Sequence, residues 1–182
     1  MNKLIGYAKL FFAFSLISAA LSCGLSPKSD CGLSETDGKI IIGTNQVVLI
    51  GKNNFAPGDS SKAENDGNLR ACGYVAENAP ERGNLYWMQT DSEDVREAKR
   101  LFGVVTERLA DTDNYSIENI AEIGEEAKLS RFENNDSKKL EIAVRKGKDV
   151  ILITVSKPAA LEIPVEEVKS LARRIADKTD DY

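Results

Sequence analysis

The three cysteines, Cys23, Cys31 and Cys72, are the side chains best suited to chemistry, and the chain contains no histidine. Without histidine, Ser-His-Asp and Cys-His catalysis and HExxH metalloproteases are excluded. Cys31 and Cys72 lack the CxxC spacing of zinc ligands. The chain also has neither GxGxxG nor GxxxxGK[ST], the glycine-rich nucleotide fingerprints. We therefore expect no metal, no cofactor and no catalytic residue of these classes.

Two groups of carboxylates could act as ligands or as an acid and a base. Asp111, Asp113 and Glu122 occupy positions 1, 3 and 12 of a calcium-binding loop, but that loop lacks the glycine required at position 6. We interpret it as a loop that follows a helix. Glu125 and Glu126 are adjacent, and adjacent side chains of a strand point to opposite faces. We expect both in a turn at the surface, not in a catalytic pair.

The segment "LYWMQT" could present a ligand surface through Tyr86, Trp87 and Met88. Because side chains alternate along a strand, one face of this segment packs inward and the other can stay open. We expect Trp87 in the core. The formal net charge is −5, and it becomes −7 if Lys3 and Lys9 are removed with a leader. An acidic chain of this kind argues against a nucleic-acid partner.

Residues 1–22 have the pattern of a secretory signal peptide. They contain Lys3 and Lys9, then an apolar run from Leu10 to Leu21 that ends in small residues. The run is shorter than the roughly 20 residues of a membrane-spanning helix. An uncleaved anchor or a buried helix is the alternative. The composition changes sharply at Cys23, which favours export.

The junction "ALSC", residues 20–23, resembles the lipobox of bacterial lipoproteins. In that family the cysteine thiol receives a diacylglyceryl group, and the signal peptidase cuts before it. The resemblance implies lipid attachment at Cys23, membrane anchoring in the cell envelope and a domain outside the cytoplasm. The alternative is ordinary cleavage after Ala20 or Ser22, which would leave Cys23 as a free thiol.

If Cys23 is acylated, Cys31 and Cys72 remain as an even pair in an oxidising compartment, and we expect a disulfide between them. It would close a loop of about 40 residues, worth about 4 kcal/mol in the chain-entropy model. The alternative is that both stay reduced.

Composition divides the remaining chain into a tether and a single domain. Residues 23–38 are polar and rich in Gly and Ser, as in a flexible tether, and the domain is predicted over 39–178. Within the domain, residues 39–51 predict a hairpin or a kinked strand. Apolar periodicity predicts helices over 92–110, with Ser92 as N-cap, and over 164–178.

The other apolar segments predict strands, and "VILITVS" (150–156) has the continuous apolar character of a central strand. The order of elements lacks regular βαβ alternation. This predicts an α+β fold, an antiparallel sheet with two helices packed on one face.

From about Cys72 to Lys178 the segment order resembles a group of uncharacterised bacterial envelope lipoproteins. The matching motifs are Cys72-Gly73-Tyr74, Gly124-Glu125-Glu126-Ala127, the hairpin from Leu140 to Val155, and Leu171-Ala172 with Ile175-Ala176. The resemblance implies an exported α+β domain and brings no catalytic residues. It also implies a helix-rich segment before Cys72, where residues 39–51 predict strand.

Two functions remain open from the sequence. The first is a non-enzymatic envelope lipoprotein that binds an envelope protein or a small ligand. The alternative is an envelope hydrolase that uses carboxylates or serine. A deep pocket with a perturbed carboxylate or lysine would favour the hydrolase, and a flat exposed apolar patch would favour the binding module.

Overall fold

The structure, a computed structural model, describes residues 31–55, 68–110 and 115–179. The elements, in chain order, are α1 (Glu35–Ile42), β1 (Val47–Phe55), β2 (Asn68–Ala76), a 3-10 turn (Pro80–Arg82), β3 (Asn84–Asp91), α2 (Val95–Ala110), β4 (Tyr115–Asn119), β5 (Glu126–Glu133), β6 (Ser137–Lys146), β7 (Asp149–Pro158) and α3 (Val165–Lys178). Cys23, Asp111 and Asp113 lie outside the described residues.

The seven strands form one sheet in the order β1-β2-β3-β7-β6-β5-β4, and all of its pairs are antiparallel. Strand β7, which contains residues 150–156, is the fourth of seven, so its predicted central position is confirmed. Strands β6 and β7 are joined by a turn at Gly147, whose φ of 56° suits glycine.

One face of the sheet is covered by α1 and α3, and this layer is the main core. Alternate residues of β6 and β7, including Leu140, Ile142 and Ile153, point to this side and are fully buried. From α3, Val168 and Leu171 pack against them. The amphipathic stripe predicted for this helix is therefore the one that the fold buries.

Helix α2 packs on the opposite face, where Ala98 and Phe102 form a second cluster with Ala143 and Val150. The predicted α+β class with an antiparallel sheet is confirmed. Two helices do share one face, but they are α1 and α3, and the helix predicted over 92–110 lies on the other side. The reason is that the central strand β7 is apolar on both faces, which requires cover on both sides. Its Ile151 and Ile153 belong to the main core, and its Val150 and Leu152 pack with α2.

Residues 39–51 form neither a hairpin nor a single kinked strand: residues 47–51 belong to β1, but the strand predicted for the first apolar run was wrong. Residues up to Ile42 belong to α1, whose N-terminus has a capping box between Ser34 and Asp37 and whose C-terminus is capped by Gly43 at φ 80°. These caps and the burial of Ile41 and Ile42 outweigh the β-propensity of the isoleucine run.

Residues 31–38, which the sequence predicts as part of the tether, pack with the rest of the domain. Leu33 is buried, and α1 begins at Glu35. Helix α2 begins at Val95, and the carboxylate of Asp94 accepts a hydrogen bond from the backbone of Glu97 (2.8 Å). Asp94, not Ser92, therefore caps this helix.

Candidate binding surface

The predicted disulfide between Cys31 and Cys72 is present, with the two Cα atoms 5.8 Å apart. It ties the segment before α1 to β2. A Cβ atom added at Gly32 would lie 2.7 Å from the indole ring of Trp87, so glycine is needed for this close approach. Trp87 itself is 2% exposed, which confirms its predicted place in the core. The bond fixes the first described residues against the sheet.

Glu125 and Glu126 are both exposed, as expected of residues in a surface turn, but their carboxylates converge on one arginine instead of pointing apart. Glu125 precedes β5, and its carboxylate bonds the Arg145 guanidinium (2.5 Å) and accepts from the backbone of Gly147 (3.1 Å). Glu126 accepts from Nη2 and Nε of the same arginine at 2.8 and 3.2 Å. A guanidinium offers donors along two edges, so one buried arginine gathers both acids.

The cluster contains two carboxylates and one guanidinium, and Arg145 is only 3% exposed. The hydrogen bond from Arg145 is the largest cause that lowers the pKa of Glu125. Burial opposes the charge of Arg145, but its hydrogen bonds with Glu126 and Glu125 outweigh burial and raise its pKa. Both acids therefore hold a structural cation. Both acids also line a pocket of about 250 Å³, together with Phe102, Asn119, Ile120, Ala127 and Lys128.

The part of the α2 side of the sheet that α2 does not reach is left uncovered by the described helices. Helix α2 contacts β4, β6 and β7, whereas no described helix lies over this side of β1, β2 and β3. We call this surface the open face, and it consists of Val48, Ile50, Ala71, Val75, Tyr86 and Met88. Val48 is 40% and Met88 36% exposed. The open face is apolar and carries no charged side chain among these six.

Tyr86 lies at the centre of the open face, directly across from Gly73 of β2. A Cβ atom at position 73 would clash with the Tyr86 ring, so the missing side chain gives the ring its place over the neighbouring strand. Burial raises the pKa of Tyr86, and the phenol stays neutral at physiological pH. Met88 follows on the same face. The sequence prediction that one face of this segment is open is confirmed.

A polar group borders the open face on β6 and β7. Glu141 is 4% exposed, and its Oε1 pairs with Lys139 (2.8 Å) and accepts from the hydroxyl of Thr154 (3.3 Å). Thr154 lies opposite Tyr86, which connects this group to the open face. Oε2 of Glu141 and the hydroxyl of the opposing Ser130 have no hydrogen-bond partner in the described part of the chain. Alternation along β6 predicts an outward-facing Glu141, so nothing in the sequence marks this group.

A groove of about 750 Å³ lies beside the start of β1, on the rim of the sheet. Its lining residues are Lys39, Ile40, Gly43, Thr44, Asn45, Gln46 and Arg82. Lys39 is paired with Glu35 (2.6 Å), and Arg82 lies in the 3-10 turn. The groove lining therefore contains two cations and no acid.

The described residues contain no group of three or more Cys, Asp and Glu side chains that could hold a metal ion. Glu122, the third of the acids that the sequence places at positions of a calcium-binding loop, has a left-handed backbone (φ 67°), and its carbonyl accepts a hydrogen bond from Arg173 (3.3 Å).

In the described ranges, no helix has the length and apolar character needed to cross a membrane.

No family model matches this chain, and no curated protein matches it. Among solved structures, the fold is similar to the extracellular domain of PknH from Mycobacterium tuberculosis. The TM-score is 0.60 at 6% identity, over 88% of this chain and 100% of that one. A GTP binding regulator from Thermotoga maritima matches with a TM-score of 0.40 at 12% identity, over 80% of this chain and 89% of that one. The first match shows a shared fold.

Proposed function

We propose that this protein is a non-enzymatic binding module, exported from the cytoplasm and held at the cell envelope by a lipid on Cys23. The open face is the observation that carries the proposal. The leader and the "ALSC" junction support export and anchoring, and the shared fold with an extracellular domain is consistent with that location. The partner is an envelope protein or a small ligand.

The open face has the composition of a recognition surface. Monomeric proteins rarely expose large contiguous apolar patches, and those that do often use them for binding. Tyrosine and methionine are enriched at protein interfaces, and the flexible thioether of Met88 can adapt to a partner. Tyr86 contributes a rigid ring that Gly73 holds in place. A partner that covered this face would bury Val48 and Met88 together.

The alternative, a hydrolase, has its best residues in Ser130 and Glu141, which oppose each other on β5 and β6. A nucleophile must touch its substrate. Ser130 is 1% exposed, and neither residue lines a described pocket. Replacing Ser130 with alanine should therefore leave binding at the open face unchanged.

The anchor is tested by replacing the cysteine. In cells, the wild-type chain should incorporate a fatty-acid analogue and sediment with membranes, whereas Cys23→Ala should do neither. The double variant Cys31→Ala/Cys72→Ala is the matched control, because it removes two thiols and leaves Cys23 in place. A wild-type chain that fails to incorporate the label would contradict lipid attachment.

The binding surface is tested by photo-crosslinking from the intact chain in its own cells. A light-activated side chain at Met88 should give an adduct. The same group at the exposed Glu167 of α3, on the other side of the sheet, serves as control and should give none. Equal yields at both positions, or none at Met88, would overturn the open face as the binding surface.

A further inference from the structure

Strand β1 is an edge of the sheet, and its outer main-chain groups are free of strand partners in the described part of the chain. The carbonyl of Gln46 accepts from the amide of Glu77 (3.1 Å), which marks an inward-bonding pair. Hydrogen-bonded and non-bonded pairs alternate along antiparallel strands. Val48 and Ile50 therefore bond inward to β2. Val47 and Leu49 turn their N–H and C=O groups outward.

The two edges of the sheet differ in how they resist pairing. Strand β4, the opposite edge, has five residues, and its Glu118 pairs with Arg131 of β5 (3.1 Å). Short length and charge are common means of blocking an edge. The β1 segment from Val47 to Ile50 has no charge and no proline, and it exposes Val48 on one face and Leu49 on the other. This edge is open to another strand.

The groove beside β1 adds charge to this edge. Arg82 has no carboxylate partner among the described residues. After burial, its charge is the main cause that lowers the pKa of the neighbouring Lys157. Lys39, on the other side of the groove, is paired with Glu35 (2.6 Å), so Arg82 is the cation of the groove lining without an acidic partner among the described residues. The start of β1 therefore has one available positive charge, and the strand beyond it is apolar.

We propose that β1 pairs with an extended peptide segment of a partner protein, apolar at alternate positions and acidic at the end that lies over the groove of Lys39 and Arg82. This rests on the proposed binding function and names the class of partner. Main-chain hydrogen bonds to Val47 and Leu49 supply the pairing, and side chains on the open-face side contact Val48. The acidic end meets Arg82 in the groove.

Charge favours such a partner over a second copy of this chain. If two copies of this chain paired through β1 about a two-fold axis, the two strands would run antiparallel. The groove at the start of β1 in one copy would then lie beside the last residues of β1 in the other copy. That end is "GKNNF", residues 51–55, which has a lysine and no acid. It offers nothing to Lys39 and Arg82, whereas a segment with a terminal or side-chain carboxylate does.

The test uses a photo-crosslinking side chain at Val48 of the full-length chain in its own cells, combined with a change at Leu49. Leu49→Pro removes an outward N–H without breaking a bond to β2, and proline is tolerated at such edge positions. Leu49→Thr is the matched control, because it alters the side chain and keeps the N–H. We expect the adduct to fall about tenfold in the proline variant, as the loss of main-chain hydrogen bonds predicts, and to persist in the threonine variant.

The groove is tested separately by charge reversal. Arg82→Glu should reduce the adduct, whereas Arg96→Glu, at a side chain that is 94% exposed in α2, should not. This pair keeps the proposal testable even if Leu49→Pro fails to fold, which a thermal melt of each variant reports. Mass spectrometry of the adduct should show a segment with an acidic end.

Several outcomes would overturn the inference. If the folded Leu49→Pro and Leu49→Thr variants gave equal adduct yields, pairing through the main chain of β1 would be wrong. If Arg82→Glu and Arg96→Glu gave equal adduct yields, the acidic end of the partner segment would be wrong. An adduct between two copies of this chain would contradict the proposed partner. In each case, persisting cross-links from Met88 would leave the proposed function standing. If the otherwise unchanged chain gave no adduct from either Val48 or Met88, both proposals would be wrong.

Discussion

Glu125 and Glu126 should contribute to stability jointly, because they share one buried arginine. Exposed ion pairs contribute about 0–1 kcal/mol, whereas a buried charge left without a partner costs about 3–5 kcal/mol. Each acid is about half exposed and Arg145 is 3% exposed, so each single change lies between these limits. We expect about 1–2 kcal/mol for Glu125→Ala or Glu126→Ala alone, since charged hydrogen bonds contribute about 1.5–3 kcal/mol and one carboxylate remains.

The double variant should lose about 3–5 kcal/mol, more than the sum of the single changes, because Arg145 then keeps only the carbonyl of Gly147 (3.3 Å). The measurement is urea unfolding at pH 7, which gives the free energy of unfolding of each variant. Glu107→Ala and Glu167→Ala, at exposed helix positions, serve as controls and should each change it by less than about 0.5 kcal/mol. Additive losses below about 1 kcal/mol in total would refute the shared-cation account.

Three further predictions concern the core, the disulfide and pH. Leu171→Ala should lower the free energy of unfolding by about 2–5 kcal/mol, because the side chain is 3% exposed, and a loss below that range would mean that α3 packs loosely. The mature domain without Cys23, purified unreduced, should show no free thiol in a thiol titration, and two free thiols would mean that Cys31 and Cys72 do not pair in the native protein. Burial, with Asp91 opposite, raises the pKa of Asp149 above 3.8, so the folded state binds that proton more tightly and stability falls as pH rises through this range. Asp149→Asn should therefore raise the melting temperature at pH 7 and lose this effect in acid below the usual pKa, whereas an unchanged melting temperature at pH 7 would contradict the burial of a charge there.

The elements that the sequence predicts well are those whose side-chain pattern and burial agree. The stripe of Val168, Leu171 and Ile175 gives α3, and the alternation of Leu140, Ile142 and Val144 gives β6. Helix α1 was missed because local propensity and tertiary context disagree. Its isoleucines favour a strand, and a capping box at Ser34 followed by glycine at 43 was the available signal for a helix.

The surface residues were harder to predict because they depend on long-range pairing. Alternation in "LYWMQT" predicts that one face of this strand points away from the core. Whether a described helix covers that face depends on the order of the strands in the sheet, which alternation does not predict. Glu125 and Glu126 both contact Arg145 because the register between β5 and β6 places this arginine opposite Glu126. Two adjacent acids in the sequence do not predict that register. Glu141 lies on the face of β6 where alternation predicts a solvent-exposed side chain, yet it is only 4% exposed.

The central claim is that the open face binds a partner, and Met88 reports on it directly. The chain has two methionines, Met1 and Met88, and Met1 belongs to the segment that we propose is removed as a leader, so methyl-labelled mature protein should give a single signal from the middle of this face. Trp87, the only tryptophan, points to the opposite face and is 2% exposed, so its indole signal is an internal control. On adding the solubilised envelope fraction of its own cells, the account predicts that the Met88 methyl resonance shifts or broadens while the chemical shift of the Trp87 indole stays constant. A Met88 resonance that remains unchanged at saturating envelope fraction would contradict it.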